Sequence, residues 1–109
     1  MDDEPKKLSS LQAKNLVLGL SKKSRSVLNS ILESNDGERG FWCRNVASKI
    51  NIDVSELSDV WSVLTRKTCS LTNDFEAYLI DWEWNDERRD YYGRLHQITY
   101  HNCKKAMNL

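Results

Sequence analysis

Few glycines and no matched set of metal ligands limit the chemistry that this sequence supports. Its 109 residues include four glycines, and no run of them follows a phosphate-binding or dinucleotide-binding pattern. Its three cysteines include no Cys-x-x-Cys pair, and its two histidines do not form a His-Glu-x-x-His motif. His96, His101 and Cys103 lie near one another in the sequence, but a structural zinc site needs four ligands. The sequence therefore predicts no cofactor, no metal and no enzymatic activity.

Long apolar runs are missing as well. The longest covers residues 16–20, far short of the roughly 20 residues that cross a bilayer. The cysteines, Cys43, Cys69 and Cys103, are widely spaced and odd in number, which favours reduced thiols over a disulfide framework. We therefore expect a cytoplasmic protein without a membrane partner.

Charge of one sign is not in excess, because 16 basic residues balance 16 acidic ones. Many nucleic-acid-binding domains are basic, but a local patch matters more than the sum. The chain is 39% hydrophobic and 29% charged with one proline, which is the composition of a globular protein. We expect a mobile tail at residues 1–8 and a single domain at 9–109.

Helical periodicity organises the first part of the chain. Apolar residues at three- and four-residue steps predict a helix over residues 54–67, with Asp53 as its N-cap and Glu56 as the capping-box partner. A short helix is predicted before it, over 41–51, with Trp42 and Cys43 either starting the helix or forming a brief extended segment. Two earlier helices are predicted at 9–20 and 22–34, with serine N-caps, and a turn at 35–40 follows them.

After residue 74 the spacing of similar residues changes from the helical period to a period of two, which is that of a β-strand. Residues 75–84 and 91–95 are predicted to form a β-hairpin over 75–95, with a polar tip at 85–90. Trp82 and Trp84 share one face of the first strand, which we expect to pack on the helices. The alternative is an exposed aromatic face for a protein partner or a dimer mate. The hairpin carboxylates, Asp90 among them, are expected to face water, and Thr99 is predicted to cap a final helix at 100–107.

The order of these elements resembles the winged helix-turn-helix superfamily over residues 21–95. The most distinctive local piece is Leu64-Thr65-Arg66-Lys67-Thr68, which ends helix 54–67 just before the hairpin. The resemblance implies an α+β fold of about four to five helices with one two-stranded hairpin, the wing. It further implies a small DNA-binding protein, either a transcriptional regulator or a phage- or plasmid-type accessory factor. Helix 54–67 would then read duplex DNA, and the wing at 85–90 would touch it.

Carried over by position, the resemblance implies ten DNA-contacting residues, all polar or basic. They are Ser55, Ser58, Ser62, Arg66 and Lys67 on the helix, Arg88 and Arg89 on the wing, and Arg44, Asn45 and Lys49 on the preceding helix. Arginine pairs bidentately with guanine edges or phosphate oxygens, and serine and asparagine also reach phosphates or bases. One feature departs from the superfamily pattern, because Glu56 and Asp59 occupy the helix start from which base contacts usually come.

Two classes of function therefore stay open. Double-stranded DNA is favoured if the basic residues converge into one positive face. A winged-helix module that binds a protein and not DNA is favoured if they scatter, or if Glu56, Asp59 and Glu87 neutralise them. For the DNA-binding case we also expect a homodimer, through helices 9–34 or 100–107, because palindromic sites require paired readers.

Overall fold

The computed structural model describes residues 4–34 and 40–109 and gives an α+β fold. Its five helices are α1 (Ser10–Leu18), α2 (Lys22–Glu33), α3 (Cys43–Lys49), α4 (Leu57–Thr72) and α5 (Gln97–Ala106). Its three strands, β1 (Gly40–Trp42), β2 (Ile80–Asn85) and β3 (Asp90–Leu95), form an antiparallel sheet in the order β1-β3-β2. The predicted α+β class is confirmed, but the sheet has three strands where two were predicted. Within the described residues no helix is long and apolar enough to cross a membrane.

The third strand is the main addition to the predicted architecture. Trp42 belongs to the brief extended segment that was one of the two alternatives, and it pairs with Tyr92 of β3. The predicted turn before it lies largely outside the described residues, which resume at Gly40. The pairing joins residues about 50 positions apart, so β1 is a consequence of tertiary structure and not of local propensity.

The first two helices begin where serine side chains can cap them. Ser9 Oγ accepts a hydrogen bond from Gln12 N, and Gln12 Oε1 accepts one from Ser9 N, which completes a capping box. Ser21 Oγ caps α2 by accepting from Ser24 N. Both predicted helices are confirmed, and they are separate because the chain leaves the helical conformation after Gly19.

An aliphatic core holds the helices together. Its fully buried side chains come from the helices and from the sheet, and they include Leu16, Leu28, Leu32, Leu57, Leu64 and Leu95. Burying each leucine contributes on the order of 1.5–3 kcal/mol relative to leaving it exposed.

The N-terminal segment packs on the domain as far back as it is described. Residues 1–3 of the predicted tail lie outside the described residues, but Leu8 is fully buried and Lys6 N donates to Tyr78 O. Thr99 Oγ1 accepts from Leu8 N at 2.8 Å and donates to Lys6 O at 2.6 Å. The prediction that Thr99 caps the last helix is therefore wrong. That helix begins at Gln97, and His96 Nδ1 caps it by accepting from Ile98 N.

Helix α4 is displaced toward the C-terminus from its predicted bounds. A 3-10 turn at Val54–Glu56 precedes it, in which Glu56 Oε2 accepts from Asp53 N at 2.9 Å, as the predicted capping pair requires. The helix continues to Thr72, and within this extension Thr68 is buried, with its hydroxyl donating to Leu64 O. Burial outweighs the weak helix propensity of that stretch.

The hairpin is shorter than predicted at both its start and its tip. β2 begins at Ile80 and not at residue 75, and the tip is residues 86–89. Trp82 lies opposite Gly93, and Phe41 pairs with Gly93 from the other side. A Cβ at Gly93 would come within 2.5 Å of Phe41 Cζ and 2.7 Å of Trp82 Cζ3, so only glycine lets the two rings close over this position. Trp82 packs on the core as expected, whereas Trp84 remains 47% exposed.

Candidate nucleic-acid interface

A buried carboxylate fixes the wing to the start of α3. Trp42, at the N-cap position, supplies no side-chain hydrogen bond to the helix. Instead Asp90, which is 5% exposed, accepts from Arg44 N at 3.1 Å through one oxygen and from Tyr91 N at 2.8 Å through the other. A carboxylate at a helix N-terminus is stabilised by the unpaired N–H groups and the helix dipole. The expectation that Asp90 faces water is therefore wrong.

Three arginines gather at this junction, and we call Arg44, Arg88 and Arg89 the arginine cluster. The Arg44 guanidinium donates to Arg89 O at 2.8 Å, and Arg89 has a left-handed backbone with φ 49°. Arg88 Cζ lies 4.0 Å from the centre of the Trp42 ring, and Arg88 N donates to the Asn85 side chain. The ion pairs among the described residues are Lys6–Asp74 and Arg94–Glu83, and neither includes the arginine cluster. The Arg44 side chain thus meets the backbone of Arg89 at the hairpin tip, and all three arginines are exposed.

The exposed face of α4 carries a mixture of hydroxyls and charges. Ser55, Ser58, Ser62 and Arg66 are all exposed. Helical spacing puts Asp59 on the same stripe as Ser62 and Arg66, three and seven residues on. Glu56 accepts a hydrogen bond from Asp53 N but keeps its negative charge, so it and Asp59 both oppose an anionic ligand, and Asp59 is the one on the stripe with Ser62.

An apolar groove separates the start of α4 from the wing. Its volume is about 420 Å³, and it is lined by Cys43, Val54, Ser58, Trp61, Trp82 and Tyr91. Trp82 is the centre of the aromatic wall, with ring centres 5.0 Å from Trp61 and 5.5 Å from Phe41. Trp82 and Tyr91 line the groove from one face of the sheet, whereas Arg88 lies over Trp42 on the other face.

The cysteine in this groove is not set up for nucleophilic chemistry. Burial, assisted by the negative charge of Asp90, raises the pKa of the Cys43 thiol to about 12. Burial alone raises the pKa of Cys103 to about 12 as well. Both thiols are therefore protonated at neutral pH, and a protonated thiol is a poor nucleophile and metal ligand. Among the described residues no three His, Cys, Asp or Glu side chains come together as a metal site would require.

The structure brings some of the ten predicted contacts together and separates others. Arg44, Arg88 and Arg89 converge, and Asn45 and Lys49 lie on the exposed side of α3. Lys67 is directed elsewhere, because its Nζ lies 3.2 Å from where a Cβ at Gly19 would be, at the end of α1. Arg66 is on the α4 stripe, about 12 Å along the axis from Ser58. No local pattern predicts the two supporting residues, Asp90 and Trp42, since each contacts a group more than 40 positions away.

A comparison with solved structures gives a fold neighbour. The structure of disulfide-formed AbfR matches with a TM-score of 0.59 and 11% sequence identity, and the match covers 91% of this chain and 59% of that one. At that identity the match shows the fold alone, and this chain spans less than two thirds of the AbfR chain. No family model and no curated protein matches the sequence.

Proposed function

We propose that this chain is a winged-helix protein that binds duplex DNA, with α4 in the major groove and the hairpin tip as the wing. The arginine cluster is the observation that carries the proposal. Arg44 joins the start of α3 to the backbone of Arg89, so basic groups from two elements are held together. Guanidinium groups match the geometry of phosphate oxygens and bond to them bidentately.

The proposed DNA contacts divide into those that position the protein on the duplex and those that read the base sequence. The arginine cluster and Lys49 bind phosphates and set the register of the protein on the duplex, while the stripe of α4 meets base edges. Within that stripe the Ser62 hydroxyl and the Arg66 guanidinium are the donors, because the Ser58 hydroxyl donates to Ser55 O. Asp59 repels phosphates, so the helix docks through the part that contains Ser62 and Arg66. The corresponding role is that of a cytoplasmic transcriptional regulator or an accessory factor acting at a DNA site.

The proposal extends to a homodimer, because two-fold sites need two reading helices about one helical turn of DNA apart. Leu11 and Leu18 support it, since both are 66% exposed and lie seven residues apart on one face of α1. Replacing both by serine should convert a dimer to a monomer in sedimentation velocity. A wild-type chain that sediments as a monomer at high concentration would overturn this part of the proposal.

The experiment is binding to a labelled random-sequence duplex at low salt, with two double variants. Arg88→Ala with Arg89→Gly removes two charges of the cluster, and glycine suits the left-handed backbone of Arg89. We expect affinity to fall by about a hundredfold or more, since each of the two charge-assisted contacts is worth roughly 1.5–3 kcal/mol.

Lys104→Ala with Lys105→Ala is the matched control. It removes the same charge from the last turn of α5. We expect its affinity at about 0.1 M salt to stay within about twofold of the wild type, because charge effects are screened beyond the Debye length, which is roughly 10 Å at that concentration. Equal losses in the two variants, or no binding by the wild type, would contradict the proposal.

The apolar groove favours a second candidate function, recognition of a protein partner. Val54, Trp84 and Tyr91 on this side of the molecule are 46–49% exposed, and exposed aromatic residues are enriched in protein interfaces. Trp84→Ser with Tyr91→Ser separates the two candidates. A DNA-binding protein should lose more affinity in the arginine double variant than in this one. A wild type that does not bind DNA, but whose interaction with a defined partner is lost in the Trp84 and Tyr91 variant, would favour the protein-binding function.

A further inference from the structure

We infer that Trp42 is a positioning residue for Arg88, and that it holds the Arg88 guanidinium ready for a phosphate before DNA arrives. The inference rests on the proposed DNA binding and names a residue that has no DNA contact of its own. Arg88 Cζ lies 4.0 Å from the centre of the Trp42 ring, well inside the range of roughly 6 Å for a cation–π contact.

The Trp42 ring is itself held in place by the sheet. Trp42 pairs with Tyr92 across β1 and β3, and the two ring centres are 4.8 Å apart with an angle of 60° between the rings. Successive residues of a strand point to opposite faces. Phe41 therefore faces the core with Trp82, and Trp42 faces the outer side of the sheet. The ring forms a platform on that outer side, where its position is set by backbone pairing.

Arg88 is anchored at both its backbone and its side chain. Its N–H donates to Asn85 Oδ1 at 2.8 Å, which fixes the main chain at the tip. The side chain lies over Trp42, so part of the rotamer entropy that a free arginine loses on binding is already lost. Stacking uses the flat face of a guanidinium and leaves the N–H donors along its edge available. The Trp42 contact therefore does not compete with a phosphate for those donors.

Among the described residues Arg89 makes no cation–π contact with a ring, so it serves as the comparison for Arg88. The part of Arg89 that the structure holds is its backbone, which accepts a hydrogen bond from Arg44. Trp42 substitutions should therefore reduce the contribution of Arg88 to DNA affinity and leave that of Arg89 unchanged.

The first test examines the geometry in the free protein. The Arg88 δ-methylene protons should be shifted upfield by the ring current of Trp42. Trp42→Leu, which keeps apolar bulk, should remove that shift, and Trp42→Phe should keep part of it. An unshifted Arg88 in the wild type would overturn the inference without bearing on DNA binding.

The second test is a double-mutant cycle on duplex affinity. Trp42→Leu should weaken binding about two- to fivefold, the range expected of an exposed cation–π contact. In an Arg88→Ala background the same substitution should have almost no effect, because the group that it positions is gone. In an Arg89→Gly background the two- to fivefold loss should persist, and Trp42→Phe should recover much of the affinity.

A merely structural role for Trp42 gives a different pattern. Trp42→Leu would then lower the melting temperature and weaken binding equally in the Arg88→Ala and Arg89→Gly backgrounds, which would overturn the inference while the proposed function stood. A wild type that does not bind duplex DNA at low salt would overturn both.

Discussion

Two regions of the molecule differ in the side chains that they bury and expose. The helical body consists of α1, α2 and α5, and the wing side consists of α3 and the sheet. In the body most buried side chains are aliphatic, and the buried Thr99 hydroxyl finds both of its partners inside the fold, although the buried Ser30 Oγ has none among the described residues. On the wing side Trp84 and Tyr91 are half exposed, and the arginine cluster faces water. The body thus buries mainly aliphatic groups, whereas the wing side leaves ring faces and charged donors available. This difference predicts that stability and binding can be changed separately.

The largest effect is expected from a cavity in the body. Leu28 is fully buried, and Leu28→Ala should lower the free energy of unfolding by about 2–5 kcal/mol, through lost burial and the cavity left behind. Urea denaturation measures the loss. DNA affinity, corrected for the folded fraction, should remain that of the wild type. A large change in the intrinsic affinity would show that the two regions are not separable.

Asp90→Ala should affect both properties, because Asp90 joins the wing to α3. It leaves the N–H groups of Arg44 and Tyr91 without their acceptor, a loss of roughly 1–3 kcal/mol in unfolding free energy. Without these hydrogen bonds between the wing and α3, the arginine cluster should bind DNA more weakly. Asp90→Asn retains one acceptor oxygen, and its stability and affinity should lie between those of the wild type and Asp90→Ala. Unchanged stability in Asp90→Ala would show that the carboxylate does not join the wing to α3.

The two buried thiols should make the fold sensitive to alkaline pH. Their pKa values are raised from 9.0 to about 12, so the unfolded state releases these protons at lower pH than the folded state. Stability from this source is fully present below pH 9 and is lost as the pH rises from 9 toward 12. The loss is on the order of 1 kcal/mol per pH unit for each thiol.

Urea midpoints at pH 8 and pH 10 measure this loss, and Cys103→Ala isolates the thiol in the body. The decrease between the two pH values should be smaller in the variant than in the wild type. An equal decrease would assign the alkaline sensitivity to other groups.

The smallest effect is expected at Asp59, on the exposed stripe of α4. Asp59→Asn removes an acid that opposes phosphates and should strengthen duplex binding about two- to fivefold at low salt. Stability should change by less than about 1 kcal/mol, since only a favourable charge in the first helical turn is lost. Fluorescence titration at two salt concentrations measures the affinity. An unchanged or weaker affinity would place the DNA away from this stripe.

The sequence predicted the elements whose signals are local. Serines ahead of apolar periodicity marked α1 and α2, and Asp53 with Glu56 marked the approach to α4. Local patterns do not predict the extension of α4 to Thr72 because that stretch is polar, and it is helical through burial of residues such as Thr68. They predict β1 only as one of two alternatives because its partner, β3, lies about 50 residues away.

The candidate site was predictable in residue type but not in arrangement. Arg66 and Lys67 are neighbours in sequence, but adjacent residues of a helix point about 100° apart, and Lys67 lies against the end of α1. Arg44 and Arg89 are 45 positions apart and are in contact. Such convergence depends on how β3 pairs with β1, which local patterns do not encode.

The most direct test of DNA binding by the arginine cluster is the slope of log affinity against log salt concentration for duplex DNA. Each neutralised phosphate adds about 0.9 to the magnitude of that slope. The wild type should give a magnitude of at least about 3, since the cluster and Arg66 together contact several phosphates or bases. Arg88→Ala with Arg89→Gly should lower it by about 1.8, while Lys104→Ala with Lys105→Ala leaves it unchanged. A wild-type affinity that does not depend on salt, or the same slope in all three proteins, would contradict DNA binding by the wing.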